Sequence, residues 1–284
     1  MKPNKFKLVI AIFYLFTIKG MAQSTADSTT AVKQKITFKA GVNYNSHLNY
    51  YGRTDSLKSS GIYPGIEIGY AGLYVKSDFI FINNSVNSNQ YTGSILSAGY
   101  NFKSNDEKVS GNIFASKFLY QDRSMLVQSA VKAQTGASIS FNNKIININA
   151  GADAKFSDQT DFGVTAGLDH LERFQLSDNK TVIVIDPCVY AYAGTQNFTN
   201  TYYKEKKFLI FPAGQEQVTA SSRKFNLLAY EASFPVAIGT GQFIFTLTPS
   251  YIIPQNLVKA DGQPELSETG TNLFYVTAGV SVSF

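Results

Sequence analysis

FYVTAGVSVSF, Phe274 to Phe284, alternates apolar residues with small or hydroxylated ones along its whole length. A period of two places Phe274, Val276, Ala278, Val280, Val282 and Phe284 on one face of a β-strand, and Tyr275, Thr277, Gly279, Ser281 and Ser283 on the other. The pattern recurs far upstream. In 36–44, Ile36, Phe38, Ala40, Val42 and Tyr44 alternate with Thr37, Lys39, Gly41 and Asn43. In 145–156, Ile146, Ile148, Ala150, Ala152, Ala154 and Phe156 alternate with Asn147, Asn149, Gly151, Asp153 and Lys155. In 161–169, Phe162, Val164, Ala166 and Leu168 alternate with Asp161, Gly163, Thr165, Gly167 and Asp169. Helical spacing is hard to find, so the chain reads as all-β.

About twelve strands are expected, over 34–46, 60–70, 73–83, 90–102, 108–120, 125–141, 144–157, 160–174, 180–195, 223–238, 241–254 and 271–284. Most exceed the five or six residues usual in soluble sheets. They suit tilted membrane strands, which need roughly 9–11 residues for the apolar layer. The connections alternate as well. Ala71-Gly72, Lys103 to Glu107, Asn142-Asn143, Gln175 to Asn179 and Gly239-Thr240 are tight. Those over His47 to Ser59, Asn84 to Asn89, Gln121 to Ser124, Gln196 to Ser222 and Gln255 to Gly270 are longer or irregular, with only Ser157 to Gln159 short. Tight turns on one rim and longer loops on the other mark a transmembrane β-barrel. An even strand number puts both chain ends on the turn side.

Alternation alone also permits a soluble sandwich with its apolar face inside. Strand length, the alternating connections and an aromatic content of 14% without tryptophan favour apolar residues outside. Tyr44, Tyr70, Tyr100, Phe102, Phe156, Phe174 and Tyr251 fall near strand ends, where amphipathic rings favour a membrane interface. In hydrocarbon every strand must be paired on both edges, which only a closed barrel achieves. The expectation is a single antiparallel up-and-down transmembrane β-barrel over 34–284.

Residues 1–22 read as a secretory signal peptide: Lys2, Lys5 and Lys7, an apolar run from Leu8 to Ile18, then Gly20 and Ala22 before Gln23. Residues 23–33, polar and low in complexity, read as a flexible periplasmic segment. Setting aside Lys2, Lys5, Lys7 and Lys19 brings 25 basic residues to 21, against 20 acidic. No concentrated basic face remains to support nucleic-acid binding. The lone Cys188 has no disulfide partner and no metal-ligand spacing, and reads as a buried or lumen-facing small side chain. No cofactor and no metal are expected.

The terminal strand carries a resemblance. FYVTAGVSVSF is similar to the C-terminal assembly signal of Gram-negative outer-membrane β-barrel proteins, and the leader's GMAQ end resembles exported Bacteroidota proteins. The resemblance implies outer-membrane location, lipopolysaccharide as a neighbour, and the barrel-assembly machinery as a partner that reads Phe274, Val276, Val280, Val282 and the terminal Phe284.

With the apolar faces outward, Lys39, Glu67, Lys76, Asp78, Lys132, Asp153, Lys155, Asp161, Asp169, Asp186 and Glu231 face a polar lumen. Opposite charges sharing an interior point to a salt-bridge network, which sets ion selectivity if a pore is open. The segment Tyr202 to Phe208 holds Lys204, Lys206 and Lys207, a basic cluster suited to phosphate-rich lipid or to a solvated loop tip. His47 and His170 are the two histidines, but neither is followed two residues later by serine as in outer-membrane phospholipases. Small inward residues such as Gly163, Thr165, Thr246, Thr248 and Gly279 leave room for water. A small pore or uptake channel, or a structural surface barrel, is the leading expectation. A lipid-modifying hydrolase and an adhesin acting through its outer loops are the alternatives.

Overall fold

Period-two segments of this length can pair all of their amides only with neighbouring strands, and the chain resolves that demand by closing on itself. A computed structural model describes residues 35–55, 57–121, 124, 126, 130–176, 180–197, 224–257 and 270–284. The segments 1–22, 23–33 and the Lys204, Lys206 and Lys207 cluster lie outside them. The strands are β1 (Thr37–Asn45), β2 (Asn49–Tyr50), β3 (Arg53–Thr54), β4 (Ser60–Tyr70), β5 (Leu73–Asn83), β6 (Gln90–Lys103), β7 (Val109–Tyr120), β8 (Ala133–Phe141), β9 (Asn147–Phe156), β10 (Thr160–Asp169), β11 (Glu172–Gln175), β12 (Thr181–Ile185), β13 (Cys188–Gly194), β14 (Asn226–Ser233), β15 (Val236–Thr240), β16 (Phe243–Pro254) and β17 (Leu273–Ser283).

β2 and β3 form a separate small hairpin. The remaining strands build one antiparallel sheet that closes through β1 against β17, giving a barrel of twelve staves. Three staves are made of two pieces each: β10 with β11, β12 with β13, and β14 with β15. An 11-residue stave such as β4 rises about 28 Å at about 3.3 Å per residue and about 40° of tilt, close to the hydrocarbon thickness of a bilayer.

Directly opposed residues in an antiparallel ladder share a face, so register fixes what points outward. Phe38 opposes Ile68, Val42 opposes Val280, and Phe245 opposes Val280 on its other side. Phe38, Ile66, Val75, Ile113, Ile148, Phe162, Val189, Leu247 and Phe274 are all exposed on that surface. An apolar belt of this extent, around the whole barrel, is far beyond the few hundred Å² of contiguous apolar surface usual for a soluble protein.

The sequence reading differs from the structure at six places. The stave expected from 125 begins at Ala133, because Leu126, Ala130 and Val131 are drawn inside and buried. The staves expected unbroken over 160–174, 180–195 and 223–238 are interrupted at 170–171, 186–187 and 234–235. Pro187 and Pro235 sit in the second and third of these gaps, Pro249 lies in unbroken β16 across from the third, and none has the N–H a ladder needs. Their carbonyls still accept from His170, Asp186 and Phe234 at 3.0–3.1 Å, so the gaps line up across neighbouring staves. The turn expected at Gly239-Thr240 lies at Gly241-Gln242, where Gly241 takes φ of 57°. The loop 47–59, expected outside, instead enters the barrel.

Candidate functional site

The hairpin β2–β3 is built locally and then seated. Leu48 N donates to Ser59 O at 2.7 Å, and Asp55 Oδ1 accepts from Leu57 N and Ser59 N at 3.1 and 3.0 Å, closing the neck. Tyr51 and Gly52 form the tip with φ of 53° and 77°, the left-handed pair that a two-residue hairpin requires. Gly52 lies against Pro254, where an added Cβ would come within 2.9 Å of the ring.

One side of the hairpin rests on an apolar patch of the inner wall. Leu48 packs with Ile80, Ile82 and Leu126, surrounded by Tyr63, Ile95 and Tyr120. Tyr50 packs with Phe118, Ala130 and Val131. The other side reaches across to the opposite wall. Arg53 is 1% exposed, and its guanidinium donates to Leu228 O at 3.1 Å, Gln255 O at 3.0 Å and Tyr51 O at 3.0 Å. The Tyr51 ring lies 5.0 Å from that of Tyr192, with the Lys155 ammonium 5.8 Å above its centroid. The hairpin therefore spans the loop-side half of the lumen, from β4–β7 to β13–β16. Burial pushes the Tyr50 and Tyr51 phenols up, with the negative charge of nearby Asp153 adding to it, so both hydroxyls stay protonated.

The inward charges fall into separate groups. Near the turn rim, Lys39 pairs with Glu67 at 3.0 Å and Lys76 with Asp78 at 2.9 Å, and register sets Lys39, Glu67 and Lys76 side by side on adjacent staves. Under the hairpin, Lys155 pairs with Asp153; Asp161, 1% exposed, accepts from Thr195 Oγ1 and Asn197 N at 2.6 Å. Asp169 accepts from the side-chain amides of Asn147 and Asn149. Asp186 is on the next stave, where its Oδ1 is buried without a hydrogen-bond partner. Glu231 accepts from Tyr275 Oη at 2.6 Å and Ser233 Oγ at 3.1 Å. Lys132 is placed apart from all of these: it precedes β8 on the loop rim and pairs with Asp158 at 2.8 Å, both exposed.

In the terminal strand, Phe274, Val276, Val280 and Val282 oppose Tyr251, Pro249, Phe245 and Phe243, and Phe284 exchanges backbone bonds with Phe38 at 2.8 and 3.2 Å. His47 Nδ1 lies 3.3 Å from Ser46 Oγ, which already accepts from Val276 N; no described carboxylate bonds the other ring nitrogen. His170 is exposed and bonds Ile145 O and Glu172. Cys188 is half-buried on the inward face. Among the described residues no group of three or more His, Cys, Asp and Glu is placed to hold a metal ion.

The residues that cross the lumen, Leu48, Tyr50, Tyr51 and Arg53, are absent from the sequence reading. One sign of them was available: Ile80 and Ile82 fall on the inward parity of β5, where a wet lumen would favour polar side chains, so something apolar has to cover them.

No protein-family model and no curated protein sequence matches the chain. Among solved structures it is similar to a KdgM porin at 9% identity, over 87% of this chain and 99% of that one, with a TM-score of 0.47. It is similar to LpxR from Salmonella typhimurium at 10% identity, over 86% and 99%, with a TM-score of 0.46. It is similar to the COG4313 outer membrane channel from Pseudomonas putida F1 at 9% identity, over 91% and 100%, with a TM-score of 0.46. The closed barrel stands on its own strand pairing.

Proposed function

We propose that the chain is an outer-membrane β-barrel acting as a narrow channel for small solutes, with the 47–59 hairpin as its constriction. The observation that carries this reading is the hairpin itself, held across an otherwise polar and ion-paired lumen by an apolar seat on one wall and Arg53 on the other. A closed apolar outer surface requires hydrocarbon around it, and only closure satisfies the backbone there. The exported leader and the terminal strand support an outer rather than inner membrane. Acidic groups on β9–β14, namely Asp153, Asp161, Asp169, Asp186 and Glu231, outnumber Lys155 and Arg53 there and favour cations over anions.

Planar-bilayer recording tests it. The purified barrel should give small conductance steps with a cation preference, and removal of residues 49–54 should enlarge them. Absence of channel events from both proteins, each shown to be folded by heat-modifiable migration on a detergent gel, would overturn the channel reading.

A further inference from the structure

Below the hairpin, on its turn-rim side, the lumen holds a cavity of about 380 Å³ lined by the inward side chains of Tyr51, Phe114, Gln134, Ser138, Thr165 and Tyr190, among others. Two of its aromatic rings pack closely against glycines on the neighbouring staves. Tyr190 lies over Gly167, where an added Cβ would run into the ring, and Phe114 lies over Gly136, where it would stand 2.9 Å from Cε1. Tyr51, packed against Tyr192, closes the cavity from the hairpin above.

The polar groups of the cavity divide into two kinds. The charged one, Asp153, is already answered by Lys155. The uncharged ones are not. The side chains of Gln134, Ser138 and Thr165 and the Tyr190 hydroxyl make no hydrogen bond to any described residue, although Asn149 and Ser140 nearby bond each other. The volume falls within the roughly 300–1,000 Å³ of small-molecule sites.

We infer that this cavity is a binding site for an uncharged mono- or disaccharide, with the rings of Tyr190 and Phe114 packing on the sugar and Gln134, Ser138 and Thr165 hydrogen-bonding its hydroxyls. Aromatic rings suit the C–H face of a pyranose, and free amide and hydroxyl groups suit its rim. An anionic ligand has no unpaired cation to meet it there. The inference deepens the channel reading by naming the class of solute, and its site exists whether or not the constriction opens.

The test is binding rather than transport, so the two readings fail separately. Calorimetric titration of the folded full-length barrel in detergent with glucose, galactose, maltose and lactose should show saturable binding of at least one. Galacturonate and inorganic phosphate should not bind. Tyr190→Ala and Gln134→Leu should each weaken the bound sugar by roughly tenfold, the effect expected of one lost packing or hydrogen-bonding partner. Lys76→Met, near the turn rim, should leave it unchanged. Gln134 has no partner to lose, so its variant keeps the fold and reads binding alone. No binding of any of the four sugars below ~10 mM, stronger binding of an anion, or unchanged affinity in both variants overturns the inference. If conductance is absent while sugar binding and its loss in the variants persist, the channel reading fails and the site stands.

Discussion

Replacing Arg53 by methionine should loosen the hairpin without touching the barrel wall. Arg53 is 1% exposed and makes two charged hydrogen bonds to the far wall, to Leu228 O and Gln255 O. Bonds from a charged donor contribute about 1.5–3 kcal/mol each, so the gross loss is about 3–6 kcal/mol. Part is returned. Methionine fills much of the same space without a guanidinium to desolvate, and Leu228 O keeps the amide of Gln255 at 2.8 Å. A net weakening of about 2–3 kcal/mol shifts the docked-to-released ratio roughly 30- to 150-fold. Hydrogen exchange of the Leu48, Gly52 and Ser59 amides, measured in lipid, reads this directly, because their bonds close the hairpin and its neck. Their protection should fall by that factor while the amides of β16 and β17 keep theirs. In a bilayer the same variant should give larger conductance steps than the unmodified protein. Equal protection in Arg53→Met and the unmodified protein would refute the reasoning, since it would mean the apolar seat alone holds the hairpin.

The apolar seat makes its own prediction: Leu48→Ala leaves a cavity beside Ile80 and Ile82 and should cost about 2–5 kcal/mol of hairpin docking, read by the same exchange experiment. Ala278→Arg puts a charge on the outer face midway along β17 and should destabilise the barrel by about 2–4 kcal/mol in vesicle unfolding by denaturant, whereas Ser281→Ala, three residues on and facing inward, should change it by less than about 0.5 kcal/mol. Glu67→Gln removes a carboxylate shared by the row Lys39, Glu67 and Lys76; its partly exposed pairing is worth at most about 1 kcal/mol, so stability should hardly move while the reversal potential shifts toward anions. Phe284→Asp should slow assembly into membranes carrying the barrel-assembly machinery, and normal yield of heat-modifiable protein would remove the assembly role proposed for the terminal strand.

The sequence by itself determined the class of fold, the stave number and the two rims, because a period of two is a local property and a closed barrel repeats one local rule twelve times. Val276 and Thr277 declare opposite faces from their immediate neighbours, and tight pairs such as Ala71-Gly72 declare their turn by needing left-handed backbone, with φ of 55° and 86°. The outward belt followed from that parity. The interior of the barrel was decided only by tertiary structure. Whether a 13-residue loop stands in solvent or folds inward depends on Leu48 finding Ile80, Ile82 and Leu126, and on Arg53 finding two carbonyls more than 170 positions away. Which carboxylate meets which lysine is set by register and shear between staves, which is why Lys155 lies with Asp153 under Tyr51 while Lys132 ends on the rim with Asp158. Likewise, Gly167 reads in the chain as a small inward residue, and only the neighbouring stave packs Tyr190 against it.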